Sequence, residues 1–215
     1  MVDATIAAAT PSHAEPVEEA AASYEPDGRL VVLASGIAGL EAASAVVADY
    51  PANCPPTVVL IDAEAEAVAE AFDGLRSTAK CNVADAAEGA ELKPGTVHLA
   101  HDRARHVIVE AGSPPRLRMA DRDPVAGFRP SADLLLGSIA RAKIPAVSGL
   151  LCGTGTDGSK GLQILTQTGA RVFIQRPEDF VPRDRYDAVR ALGLDAAELA
   201  TDAVAEWVLE QTAKA

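Results

Sequence analysis

Two short runs constrain this chain more than any other feature. Residues 30–34 and 57–61 are almost wholly apolar, and each is followed by a turn and an alanine-rich, helix-forming stretch. A strand with one wet face alternates apolar and polar side chains. A strand apolar at successive positions must be covered on both faces, which is the condition of a parallel sheet. Strand, helix and strand in that order form the βαβ unit. The helices are expected over residues 40–49 and 63–75, with the prolines of residues 51–56 breaking the chain between the units.

The alternation returns in the last third. A strand is expected at 146–152, a glycine-rich loop at 153–158, a helix at 160–168 and a strand at 171–175. Two helices follow, near 184–192 and 202–214. Between these thirds the pattern changes. Short strands at 95–99, 106–109 and 117–119 surround the polar loop 101–105 and suggest a small antiparallel elaboration. Residues 131–141 read as a helix with Ser131 as N-cap after Pro130. The expected fold is therefore a three-layer α/β/α domain, doubly wound, with a mainly parallel sheet.

Aromatic residues make up only 4% of the chain, so the core must be built from Ala, Val, Leu and Ile, which suits helices layered on a sheet. Residues 1–27 are rich in Ala, Glu, Pro and Ser, and Pro11 and Pro16 interrupt any helix there. They are expected to be a loosely held tail, with one domain over 28–215. A formal net charge of −12 argues against nucleic acid and anionic membrane surfaces as partners. No stretch reaches the roughly 18 apolar residues of a membrane span, and acidic residues stand where an export signal needs positive charge. A cytoplasmic protein is expected. Cys54, Cys81 and Cys152 are odd in number and lack metal-ligand spacing, so they read as reduced thiols.

Two segments carry chemistry. Ser35 stands where the first strand hands over to a helix, a corner that exposes a hydroxyl beside free backbone N–H groups. The plainer reading is a capping serine in a structural turn. The same run, Ala34-Ser35-Gly36-Ile37-Ala38-Gly39, is similar to the dinucleotide fingerprint G-x-G-x-x-G with Ala34 at the first glycine, and Asp62 ends the next strand where a ribose-binding acid would lie. The second segment is Gly153-Thr154-Gly155-Thr156-Asp157-Gly158. An aspartate in that loop can orient a histidine or cap a helix through backbone N–H groups.

The longer stretch from Gly149 through Leu150-Leu151-Cys152-Gly153-Thr154-Gly155-Thr156-Asp157-Gly158-Ser159-Lys160-Gly161-Leu162 resembles L-T-G-M-G-x-D-G-x-x-G-L. Residues 88–97 are similar to D-G-x-x-L-x-P-G-x-V, and Arg129-Pro130-Ser131-Ala132-Asp133-Leu134-Leu135 to R-P-S-V-D-x-L-F. Three motifs in this order resemble the catalytic domain of the chemotaxis protein-glutamate methylesterases, the CheB family. That resemblance implies a doubly wound parallel sheet, hydrolysis of glutamate methyl esters on chemoreceptors, and a Ser-His-Asp triad at the sheet's carboxyl edge. It implies neither a cofactor nor a metal ion. It matches Ser35 to the serine and Asp157 to the aspartate, and puts Gly36, Thr154 and Gly155 in the surrounding oxyanion and loop positions.

The histidine has no match. Ala63 takes its position, or Asp62 if the register slips by one, and His101 and His98 are the candidate substitutes. The Gly36–Gly39 turn is one residue longer than the family's, Thr154 replaces a methionine, and the 175–182 stretch is short. A serine without a base is a poor nucleophile. The expectation is a homologue of the ester-hydrolase lineage, impaired in turnover, that binds a methyl-accepting chemoreceptor or another chemosensory protein. The alternatives are an active methylesterase using a displaced histidine and a dinucleotide-binding protein.

Overall fold

The computed structural model describes residues 24–178 and 181–215. In chain order the strands are β1 (Leu30–Gly36), β2 (Thr57–Asp62), β3 (Asn82–Asp85), β4 (Thr96–Ala100), β5 (His106–Glu110), β6 (Arg116–Ala120), β7 (Ala146–Leu150), β8 (Arg171–Gln175) and β9 (Ala197–Leu199). The helices are α1 (Leu40–Ala48), α2 (Ala65–Thr78), α3 (Ala132–Ala142), α4 (Ser159–Thr166), α5 (Asp184–Ala191) and α6 (Val204–Thr212).

Seven strands form one sheet in the order β3-β4-β2-β1-β7-β8-β9, and every pairing in it is parallel. All seven residues of β1 are buried, as the continuous apolar run requires of a central strand. Odd-numbered residues of β1 and β2, such as Val31, Leu33, Val59 and Ile61, pack with α1, α2 and α6. Even-numbered ones, such as Val32, Ala34, Val58 and Leu60, pack with α3, α4 and α5 on the other face. The three-layer doubly wound expectation is borne out.

One element differs from expectation. The 95–99 segment was assigned to the antiparallel elaboration, but β4 lies in the main sheet between β3 and β2. Its Val97, His98, Leu99 and Ala100 are all buried, so it needs cover on both faces and takes an interior position. The antiparallel unit is the ribbon β5–β6, whose Val107, Val109 and Leu117 close over the α3 side of the core.

The expected tail falls mostly on residues 1–23, outside the described residues. Its last part is held. Asp27 N donates to Thr212 O at 2.8 Å, Lys214 N to Glu25 O at 2.9 Å, and Pro26 bridges Ala213. The C-terminal helix is thus tied back to the entry of the domain.

From β1 the chain steps to β2 on one side, and later from β7 to β8 on the other. The order reverses between β1 and β7, and open α/β sheets bind ligands at the carboxyl end of such a switch point. Ser35 and the loop 151–158 both leave the sheet there.

Candidate functional site

Ser35 sits near the end of β1 and is fully buried. Its Oγ donates to Gly36 O at 2.8 Å, a bond to its own neighbour. Gly36 is extended, with φ −104° and ψ −172°, and Ile37–Gly39 make one 3-10 turn that leads into α1. A Cβ on Gly39 would lie 2.6 Å from Cys152 O and 2.7 Å from Ser35 Oγ. Only glycine passes at that distance, so the turn is pressed down over the serine. Gly39 also stands at the last glycine of the fingerprint-like run, and there it serves the chain's own backbone.

Asp157 leaves the β7 edge one loop away. It is 3% exposed, and three donors converge on its carboxylate: Ser131 Oγ at 2.8 Å, Ala132 N at 2.6 Å and Asp133 N at 3.1 Å. Ser131 Oγ in turn accepts from Leu134 N. Asp157 therefore completes the N-terminus of α3, where unpaired N–H groups and the helix dipole both favour an anion. The favour is returned. Asp133 Oδ1 accepts from Gly158 N at 2.9 Å and Gly161 N at 2.7 Å, which holds the start of α4. Burial pushes the Asp133 carboxyl above its usual value, and the charge of Asp157 adds to this while the two N–H bonds oppose it. Thr154 is exposed, and Gly155 N donates to Asp184 Oδ2 at 2.9 Å. That N–H of the oxyanion candidate Gly155 is thus turned toward α5.

The parallel register sets Ser35 beside Ile61 and Gly36 beside Asp62. Ala63 is buried with the α1 and α2 side chains, on the same face as Ser35. Asp62 is half-buried on the opposite face. Of these two residues, Ala63 is the one on the serine's face of the sheet.

The described histidines are each committed elsewhere. His98 Nε2 bonds Glu91 O at 3.3 Å, and burial lowers its pKa. His101 Nε2 is 3.1 Å from Asp85 Oδ1 on the outer strand β3. His98 lies in β4 and His101 directly follows it, two strands from β1, which is about 9–10 Å of sheet. His106 Nδ1 accepts from Ser131 N at 3.2 Å, which leaves its proton on Nε2 to donate to Asp123 O at 3.1 Å. His13 lies outside the described residues.

One buried residue at this edge has no counterpart in the motifs. Arg185, in the first turn of α5, is 1% exposed. Its guanidinium lies at the carboxyl edge between the two turns: a Cβ on Gly153 would be 3.4 Å from its Nε, and one on Gly36 would be 3.9 Å from its Nη2. Burial lowers its pKa, against the charges of Asp157 and Asp62. Its Nε and Nη1 have no hydrogen-bond partner among the described residues. The surrounding Asp-Arg-Tyr-Asp sequence reads as solvated helix surface, so nothing in the local pattern signals this burial.

Residues 31–208 match the family model for CheB methylesterase. The chain belongs to the CheB methylesterase family. A protein-glutamate methylesterase/protein-glutamine glutaminase of Rhizobium etli is 35% identical over 193 residues, covering 89% of this chain and 56% of that protein. The counterpart of Agrobacterium fabrum is 34% identical over 194 residues, covering 88% of this chain and 54% of its own length. The chain thus spans about half the length of these curated relatives. The crystal structure of the Thermotoga maritima CheB methylesterase catalytic domain superposes with a TM-score of 0.79 at 25% identity, over 86% of this chain and all of that one.

The fingerprint-like run is therefore the first turn of a CheB domain. In this CheB domain Ser35 and Asp157, the residues matched to the family's serine and aspartate, leave adjacent strands at one edge of the sheet. Among the described residues no group of His, Cys, Asp and Glu is arranged to hold a metal ion, and no helix is long and apolar enough to cross a membrane. Cys54, Cys81 and Cys152 are buried free thiols.

Proposed function

We propose that this chain is a CheB-type homologue of a cytoplasmic chemosensory pathway that acts by binding a chemoreceptor or a signalling partner, with its methylesterase turnover impaired. The observation that carries this is the state of Ser35. Its hydroxyl donates to Gly36 O, and each described histidine is bonded to another group. Acyl transfer at serine needs a base to take the proton and an acid to give it to the leaving alcohol. Ala63 can do neither. Loss of one triad member costs several orders of magnitude in rate. Asp157, the remaining partner, holds the start of α3 with three hydrogen bonds.

The relatives are named for action on protein glutamate and glutamine, which supports a receptor segment bearing those side chains as the partner. Methanol release from a methylated receptor tests the proposal in wild type, Ser35→Ala and Ala63→His. The expected result is wild-type release no higher than that of Ser35→Ala, with measurable release in Ala63→His. The new imidazole adds volume at a buried site, at about 1–3 kcal/mol of stability, so folding is checked by thermal melting. Robust wild-type release that Ser35→Ala abolishes would overturn impairment and make a displaced histidine, His101 or His98, the base.

A further inference from the structure

Ser35 and Asp157 lie at the carboxyl edge of the sheet. The amino edge holds two thiols for which the partner-binding role has no use. Cys54 stands in the loop before β2 and Cys81 in the bend before β3. The start of β4 draws them together: Gly95 N donates to Cys54 O at 2.8 Å, and Asn82 N, next to Cys81, donates to Gly95 O at 2.9 Å. One residue thus ties the two stretches of backbone. The side chains of Cys54 and Cys81 enter the same buried cluster, with Tyr50, Phe72 and Val97. There the Cys54 thiol donates to the Cys81 sulfur. Both thiols are free.

The two cysteines differ in access and in charge. Cys54 is fully buried, whereas Cys81 is 7% exposed, and its neighbour Lys80 lines a surface groove with Pro51. A small solute therefore meets the Cys81 sulfur first. The hydrogen bond from Cys54 lowers the pKa of Cys81 against the effect of burial, while the same bond and burial both raise that of Cys54. The thiolate is the reacting form of cysteine. Cys81 is thus placed to attack, and Cys54 to follow. Neither belongs to a helix or strand, so a loop and a bend can shift to bring the sulfurs to the bonded distance of about 2.05 Å. Cys152 provides the contrast. It lies at the carboxyl edge, burial raises its pKa, and no thiol is among the groups acting on it.

We propose that Cys54 and Cys81 are a peroxide-reactive dithiol that closes reversibly to a disulfide. The Cys81 thiolate attacks one oxygen of hydrogen peroxide. An S–O bond forms, the O–O bond breaks, and the departing hydroxide takes the proton the thiol released, which gives water and a sulfenic acid. The Cys54 sulfur then attacks the sulfenic sulfur. The S–S bond forms, the S–O bond breaks, and the Cys54 proton leaves with the hydroxyl as a second water. Two electrons pass from the two thiols to one peroxide. A small neutral oxidant suits the narrow exposure of Cys81, which a bulky disulfide would not reach. A dithiol reductant reverses the step by thiol–disulfide exchange. The bond joins the α1–β2 loop to the α2–β3 bend, at the edge away from Ser35, so it is independent of the partner-binding role.

The test exposes the reduced full chain to a small excess of hydrogen peroxide, removes the peroxide with catalase and alkylates the remaining thiols. Cleavage at Arg76 and Lys80 then separates the two cysteines for mass spectrometry. The expected product is a peptide holding Cys54 joined to one holding Cys81, lighter by two hydrogens than the reduced pair. Dithiothreitol should restore both thiols, and Cys152 should be found alkylated. The circular dichroism of the chain should not change while the bond forms. Cys54→Ser should leave Cys81 as a sulfenic acid that dimedone traps. Cys81→Ser should slow the oxidation of Cys54 by at least about tenfold, because a buried, protonated thiol is a poor nucleophile. Cys81 alkylated as fully as Cys152 after treatment, a disulfide through Cys152 or between two chains, or unfolding before the bond forms would each overturn the inference. If either serine variant fails to fold, the wild-type peptide map decides it.

Discussion

Ser35 and Asp157 leave adjacent parallel strands at the same edge of the sheet, yet they are held in opposite ways. The serine hydroxyl has one hydrogen bond, to the next residue's carbonyl. The aspartate has three, all to the start of α3, and its neighbour Asp133 repays them to α4. Asp157 is thus required by the fold whether or not any chemistry takes place. Ser35 is held down by the backbone around it and supports nothing. A motif residue can be retained for folding, so the glycine-rich loop alone says little about turnover, and the base opposite the serine says much more.

The largest effect should come from removing the engaged side chain. Asp157→Ala leaves the Ser131 hydroxyl proton and two backbone N–H groups without their acceptor in a buried place, and it frees the dipole end of α3. Hydrogen bonds to a charged acceptor are worth about 1.5–3 kcal/mol each, and unpaired buried groups add to the loss. A destabilisation of about 3 kcal/mol or more is expected, or a drop of about 6–12 °C in melting temperature for a domain of this size. Asp157→Asn keeps one acceptor oxygen and should lose less. A melting temperature unchanged in Asp157→Ala would break the comparison, because the aspartate would then be as free of the fold as the serine.

That asymmetry was only half legible in the sequence. The apolar runs around 30–34 and 57–61 gave away β1 and β2, and Ser131 after Pro130 marked the start of α3, since burial on both faces and N-capping leave local signatures. The edge strands β3 and β9 left none. They are short and only partly buried, so their residues show no apolar run. The 95–99 segment was legible as a strand but not in its pairing, which depends on partners distant in sequence. The reciprocal caps of Asp157 and Asp133 join residues 24–28 apart, and the burial of Arg185 depends on two turns far from α5. Contacts of this kind follow from the topology, so only the folded chain displays them.

A smaller effect should follow from disturbing the backbone over Ser35. Gly39→Ala places a methyl 2.6 Å from Cys152 O, and a carbonyl in a strand-to-loop junction cannot swing aside as a flexible side chain would. The turn must shift, at about 1–3 kcal/mol. Thermal melting reads the cost. A stable Gly39→Ala would show that the turn is loose, and Ser35 would then have room to find a base.

The smallest effect should belong to Ser35 itself. Ser35→Ala removes one oxygen from a fully buried position, and with it the bond to Gly36 O. An ordinary neutral hydrogen bond contributes about 0.5–1.5 kcal/mol net. This one joins neighbouring residues and closes no long loop. Alanine fits the extended backbone of β1 and leaves a gap of a single atom beneath Gly39. The expected loss is about 1 kcal/mol or less, well below that of Asp157→Ala measured in the same buffer. The comparison then sharpens into a statement about use. A serine that the fold does not need can be replaced with little loss of stability. If Ser35→Ala instead melted as low as Asp157→Ala, the hydroxyl would be a structural group of the turn, and its presence would need no functional explanation.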